Sequence, residues 1–177
     1  MRHDRRTVSI QGVVTIVASE SIPAPETTGT ALGNRPVGGP VFIVGYDGSD
    51  TARVALDYAA RRARAGGRLV VVNAYAPPAS WFGAASYQRP DDSKAAADQG
   101  HSVLEEIHPD LLAGIEVERE DVRASPPRAI LDAAHRHGAD EIVVGAHGRW
   151  PMRPGLGSVA SAVVSQAKIP VVVVPSS

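Results

Sequence analysis

The chain has 177 residues, of which 44% are hydrophobic and 21% charged, and its formal net charge is -1. One domain with an ordinary buried core is the default at this length. The near-neutral balance gives no bulk electrostatic footprint for nucleic acid or an anionic membrane surface. Cysteine is absent, which excludes disulfides, thiolate chemistry and Cys-based zinc sites.

No apolar run is long enough to span a bilayer, so no membrane partner is expected. Met1 to Arg6 is charged and Val8 to Ala18 is apolar, a loose likeness to a signal peptide. Gln11 and Thr15 interrupt the apolar part and no convincing cleavage site follows, so the segment reads as the extension of a cytoplasmic protein. Thr7 to Ala18 is rich in β-branched residues and can form a strand, whereas Ser19 to Pro40 is a Pro-, Gly-, Thr- and Ser-rich linker. The organisation is therefore an extension and linker over 1–39, then a domain over 40–177.

The domain begins with Val41 to Val44, a continuous apolar run expected of a strand covered on both faces. Gly45 to Ser49 is a turn, and Ser49 or Asp50 can cap a helix with Ala52, Leu56, Ala59 and Ala63 on one side. Gly66-Gly67 ends that helix, and Leu69 to Val72 is a second buried strand. Pro77 to Pro90 is a loop carrying Trp81, Phe82 and Tyr87. A helix is expected from Asp91 to near Pro109, with Val103, Leu104 and Ile107 inward. Ile115 to Glu118 alternates, as an edge strand does. Pro126-Pro127 opens a helix that turns Ile130, Leu131 and Ala134 inward and ends at Gly138. Ile142 to Val144 is a fourth strand, a helix follows Gly157-Ser158, and Val171 to Val174 is a fifth. This alternation predicts an α/β fold: a five-stranded parallel, doubly wound sheet with helices on both faces.

The densest functional signal is Gly145-Ala146-His147-Gly148, a loop, and then Gly157-Ser158 at the start of a helix. Glycines let the main chain approach an anion closely, and the first-turn N–H groups of a helix point at it with the positive end of the dipole behind them. The layout favours a phosphorylated ligand. Asp47, Ala74 and Gly145 lie at the carboxyl ends of predicted strands, where such sheets bind ligands. His147 can donate to a phosphate, and Arg149 and Arg153 can neutralise one. Each has a plainer reading: turn glycines, Ser158 as an N-cap, Asp47 capping a turn, solvated loop arginines. His135 and His137 read as helix C-terminal residues rather than metal ligands, because i and i+2 do not share a helix face. No G-x4-G-K-[ST], G-x-S-x-G or H-E-x-x-H is present.

Val44-Gly45-Tyr46-Asp47-Gly48-Ser49, Ala139 to Gly145, Gly145-x2-Gly148 with Gly157-Ser158-Val159, and Ile169 to Val174 together resemble the universal stress protein family. The resemblance covers about residue 40 to the end. It implies an adenine nucleotide α-hydrolase-like sheet and a homodimer through the last strand. In one branch it also implies ATP, with Mg2+ carried on its phosphates. Gly145, Gly148, Gly157 and Ser158, with Val159 following, would hold phosphates and ribose. Asp47 would meet the adenosine and the backbone at Ala74 the adenine edge. Two departures stand out: Arg149 to Leu156 is one residue shorter than the family loop, and Ser125 replaces a usual glycine.

The leading expectation is an ATP-binding stress-response or signalling module that acts by ligand-dependent conformation or dimer contacts, without dedicated catalytic residues. The alternative is a nucleotide-free homodimeric interaction protein of the same fold. An ATP-using ligase or transferase of a related fold is a weaker third reading, since Asp47-Gly48-Ser49 is too little for a pyrophosphate loop. Val171 to Val174 is an apolar edge that would be an aggregation hazard if unpaired, which predicts antiparallel pairing across a two-fold axis.

Overall fold

The computed structural model describes residues 7–10, 13–16, 38–75, 103–148 and 155–175. The chain order is β1 (Thr7–Ile10), β2 (Val13–Ile16), β3 (Val41–Gly45), α1 (Asp50–Ala63), β4 (Arg68–Ala74), a 3-10 turn (Pro109–Leu112), β5 (Glu116–Val122), α2 (Pro126–His137), β6 (Glu141–Gly145), α3 (Ser158–Gln166) and β7 (Val171–Val174). The Pro77 to Pro90 loop, most of the helix expected from Asp91, and Arg149 and Arg153 lie outside the described residues; residues 103–105 are helical.

One sheet runs in the order β1-β2-β7-β6-β3-β4-β5. Its five strands from β3 onward are parallel, as the alternating pattern predicts. The continuous apolar runs arise because both faces are covered. Val44, Val71, Val143 and Val172 join Ala52, Ala55, Leu56 and Ala59 of α1 in one core. Their chain neighbours Ile43, Val70, Ile142 and Val171 join Ile130 and Ala133 of α2 and Val163 of α3 in the other. Successive strand residues point to opposite faces, so the middle of a strand between two helical layers takes apolar side chains at every position.

The helix boundaries follow from local chemistry. Ser49 caps α1, its hydroxyl accepting from the Ala52 N–H at 3.2 Å. In α2, Pro126 and Pro127 occupy the first turn, where an N–H is not needed, and Gly138 ends the helix at φ 58°. The N-cap of α3 is Gly157, so Ser158 is the first helical residue and makes no capping bond. Ser158 is therefore not the cap that its residue type invites.

The two ends of the sheet differ in kind. β5 is a partly exposed strand bearing Glu116, Glu118, Arg119, Glu120 and Asp121. α2 is tied to it by His137 Nε2, 2.7 Å from Glu120 Oε1, and by the Arg136–Glu120 ion pair. At the other end the N-terminal residues contribute two strands beyond the parallel set. β1 and β2 form an antiparallel hairpin, and β2 pairs antiparallel with β7 in the register Val14 to Val173, Thr15 to Val172 and Ile16 to Val171.

Candidate functional site

The chain leaves β3 toward β4 and β5 on one side, then returns through β6 and β7 on the other. Strand order thus reverses between β3 and β6, and a crevice opens beyond the carboxyl ends of strands at such a point. A cavity of about 680 Å³ lies there, within the range of small-molecule and cofactor sites. Asp47, Ala74, Gly145, His147, Gly148, Gly157, Ser158 and Val159 all line it. Residues more than 100 positions apart in sequence therefore meet in one place. Of the expected site residues, Arg149 and Arg153 lie outside the described residues.

The glycines have separate reasons. A Cβ on Gly145 would lie 2.5 Å from Thr51 Oγ1 and 3.0 Å from its carbonyl carbon, so β6 and the first turn of α1 touch only because the side chain is absent. A Cβ on Gly148 would lie 2.8 Å from Asp47 Oδ2, which brings the glycine loop against the end of β3. Gly157 departs from expectation in its chemistry. Its N–H donates to the Ala146 carbonyl at 2.7 Å, and a Cβ there would lie 3.1 Å from the same oxygen. Gly157 therefore fastens the start of α3 to the strand end and contributes no N–H to a ligand.

The donors come from the residues that follow. The first intrahelical bond of α3 runs from the Ser161 N–H to the Gly157 carbonyl, which leaves the N–H groups of Ser158, Val159 and Ala160 without helical partners. The N-cap Gly157 has no side chain to cap them, and no acidic residue stands in that turn. The other helix starts are spent. That of α1 is capped by Ser49 and carries Asp50, and that of α2 opens with two prolines. Among the described helices, α3 alone presents an anion cradle.

Asp47 combines its two readings. Its Oδ1 accepts from the Ser49 N–H at 3.0 Å, shaping the turn in which Gly48 takes φ 76°, and the residue also lines the cavity. His147 Nδ1 is buried and has no hydrogen-bond partner among the described residues. Val72, Pro126, Ile130, Val144 and Leu156 give the wall an apolar stretch.

Three contributors escape sequence reasoning. Thr51 donates its hydroxyl hydrogen to the His147 carbonyl, pinning the glycine loop to α1. Asn73 is buried at the end of β4, lines the cavity and donates from Nδ2 to Asp121 Oδ1 at 3.0 Å. A polar residue closing the apolar run Leu69 to Val72 was the available signal. Tyr46, buried beside Asp47, also lines the cavity. Glu118, Glu120 and His137 bring ligand-type atoms within 4.8 Å of one another at the β5 edge, away from this cavity. No helix among the described residues is long and apolar enough to cross a membrane.

Residues 41–175 match the Universal stress protein family. A universal stress protein of Thermus aquaticus is 34% identical over 138 residues, spanning 75% of this chain and 96% of that protein. A universal stress protein of Mycobacterium tuberculosis is 32% identical over 139 residues, spanning 75% of this chain and 93% of the relative. Among solved structures, the universal stress protein UspA from Lactobacillus plantarum superposes with a TM-score of 0.63 at 25% identity, covering 76% of this chain and 97% of the other. A universal stress protein in complex with cAMP superposes at 0.58 with 26% identity, covering 78% and 98%. The match over residues 41–175 and these relatives, each covered over more than nine-tenths of its length, place the chain in the universal stress protein family.

Proposed function

We propose that this chain is an adenine-nucleotide-binding module of the stress response, with ATP as the expected ligand and Mg2+ carried on its phosphates. The observation that supports this most directly is the start of α3, where Ser158, Val159 and Ala160, whose N–H groups have no helical partner, line the same cavity as Asp47 and Asn73. A phosphate there receives backbone hydrogen bonds and the helix dipole. Asp47 is an acceptor suited to ribose hydroxyls. Pro126, Ile130 and Val72 offer a flat aromatic base the apolar surface it needs. The related structure in complex with cAMP supports the adenine class.

The residues argue for binding over catalysis. Asp47 and His147 are the acidic and imidazole groups of the described lining, and Asp47 is already engaged with Ser49. A binding module needs only different ligand affinities in two conformations to act as a switch.

Isothermal titration with Mg-ATP, AMP, cAMP and adenosine tests the reading, with thermal unfolding alongside. Saturating phosphorylated ligand should stabilise the fold, by about 2.7 kcal/mol at one hundred times Kd. Adenosine, which leaves the α3 cradle unfilled, should bind more weakly than all three. No binding by any phosphorylated adenine ligand would contradict the proposal and favour a nucleotide-free interaction protein of the same fold.

A further inference from the structure

The sheet has one protected edge and one that cannot stand alone. β5 carries charged residues along its length, a standard protection against edge-to-edge pairing. β7 carries four valines and no charge, and all four are at most 3% exposed. That is the composition and burial of an interior strand. In this chain β2 makes it one, pairing antiparallel with β7 over Val171 to Val173.

Pairing of β7 with a second copy across a two-fold axis uses the same outward N–H and C=O groups that β2 occupies. The two arrangements exclude each other. We infer that the β1–β2 hairpin is an intramolecular cap on the β7 edge, holding the chain as a monomer, and that a second copy pairs through β7 only when the hairpin leaves.

Topology makes the intramolecular arrangement easy to reach. β2 runs against β7, so its last residue, Ile16, lies opposite Val171 at the amino end of the parallel sheet. β3 begins at that same end, and only β7 and β6 stand between β2 and β3. The lateral distance is three strand spacings, about 14 Å. The connection comprises residues 17–40, and a chain of that length can extend at most roughly 80 Å. The connection need not cross the sheet.

Concentration decides between the two partners. A strand joined to its partner through a short stretch of the same chain presents itself at about millimolar effective concentration. Against a second copy at micromolar concentration, with similar ladder strength, the tethered strand is favoured by roughly a thousandfold. Displacing the cap moves the equilibrium toward the dimer, so the hairpin gives this chain control over its assembly.

Sedimentation of the full chain, with amide exchange resolved over β7, tests the cap. The wild type should remain monomeric from low micromolar concentration upward, with slowly exchanging amides at Val171 to Val174. A full-length Val14→Pro/Thr15→Pro variant removes a ladder donor toward each neighbour of β2. It should show concentration-dependent dimerisation. Diluted to monomer, its outward β7 amides should exchange at least about tenfold faster than the wild type's. A dimeric wild type at the same dilution, or wild-type β7 amides exchanging as fast as the variant's, would overturn the inference. Should the variant lose its circular dichroism signal, the wild type alone decides: protected outward amides in a monomer require an intramolecular partner, and unprotected ones exclude it.

Discussion

Thr51, in the first turn of α1, donates its hydroxyl hydrogen to the carbonyl oxygen of His147, 96 residues later in the chain. The same Oγ1 lies where a Cβ on Gly145 would collide with it. One side chain thus sets how closely the glycine loop approaches α1. Thr51→Val keeps the shape and removes the donor, leaving a loop carbonyl without its protein partner. The expected cost is about 1 kcal/mol, a fall in Tm of roughly 2–4 °C for a domain of this size. Nucleotide affinity should fall as well, because the loop that lines the cavity loosens. An unchanged Tm and affinity would show that the bond does not hold the loop.

Gly145 and Gly148 should separate stability from binding. At Gly145→Ala the new methyl meets Thr51 backbone as well as side chain, so the strand end must shift, at about 1–3 kcal/mol for overpacking. At Gly148→Ala the neighbour is the Asp47 carboxylate, which can rotate aside. Stability should then change by less than about 0.5 kcal/mol. Displacing Asp47 should still lower nucleotide affinity about tenfold, the loss of one charge-assisted hydrogen bond. Denaturant titration paired with calorimetry distinguishes the two variants, and equal effects on stability would refute the assignment.

Glu141 gives a pH dependence of opposite sign to most carboxylates. It is buried at the start of β6, and burial raises its carboxyl above the usual range, opposed by Arg62 at 3.3 Å. A raised folded-state value means the folded chain holds the proton more tightly than the unfolded chain. Its stabilising effect is complete below the usual carboxylate range and is lost as pH rises through the raised value. Glu141→Gln should therefore be at least as stable as the wild type at neutral pH. Its advantage should shrink as the pH is lowered. Denaturation curves at pH 7 and pH 5 check this, and an advantage that grows with acidification would contradict it.

Much of the fold was legible because the middles of parallel strands between helical layers admit apolar side chains on both faces. Val41 to Val44, Leu69 to Val72, Ile142 to Val144 and Val171 to Val174 carry that signature in the sequence. The glycine loop was legible because main-chain recognition is written in the residues that permit close approach. Thr51 was not, since its partner is brought to it by the β3–β6 pairing and nothing in its own helix marks it. Gly157 was legible as a site residue but not in its role, because only the folded strand end places the Ala146 carbonyl against its N–H. The β-branched run after Thr7 announced strand, whereas its partner depended on which edge of the sheet lacked protecting charge.

The most direct test of the proposed site is the affinity of Ser158→Asp for Mg-ATP and for adenosine. An aspartate at the start of α3 places negative charge at the positive end of the dipole, which should leave the fold unchanged or more stable by about 0.3–1 kcal/mol. A phosphate bound to the Ser158, Val159 and Ala160 N–H groups would meet that charge directly. The account predicts that affinity for Mg-ATP falls at least about tenfold, 1.4 kcal/mol or more, while adenosine binds as before. Wild-type affinity for Mg-ATP in this variant would show that the phosphates do not rest on α3 and would contradict the account.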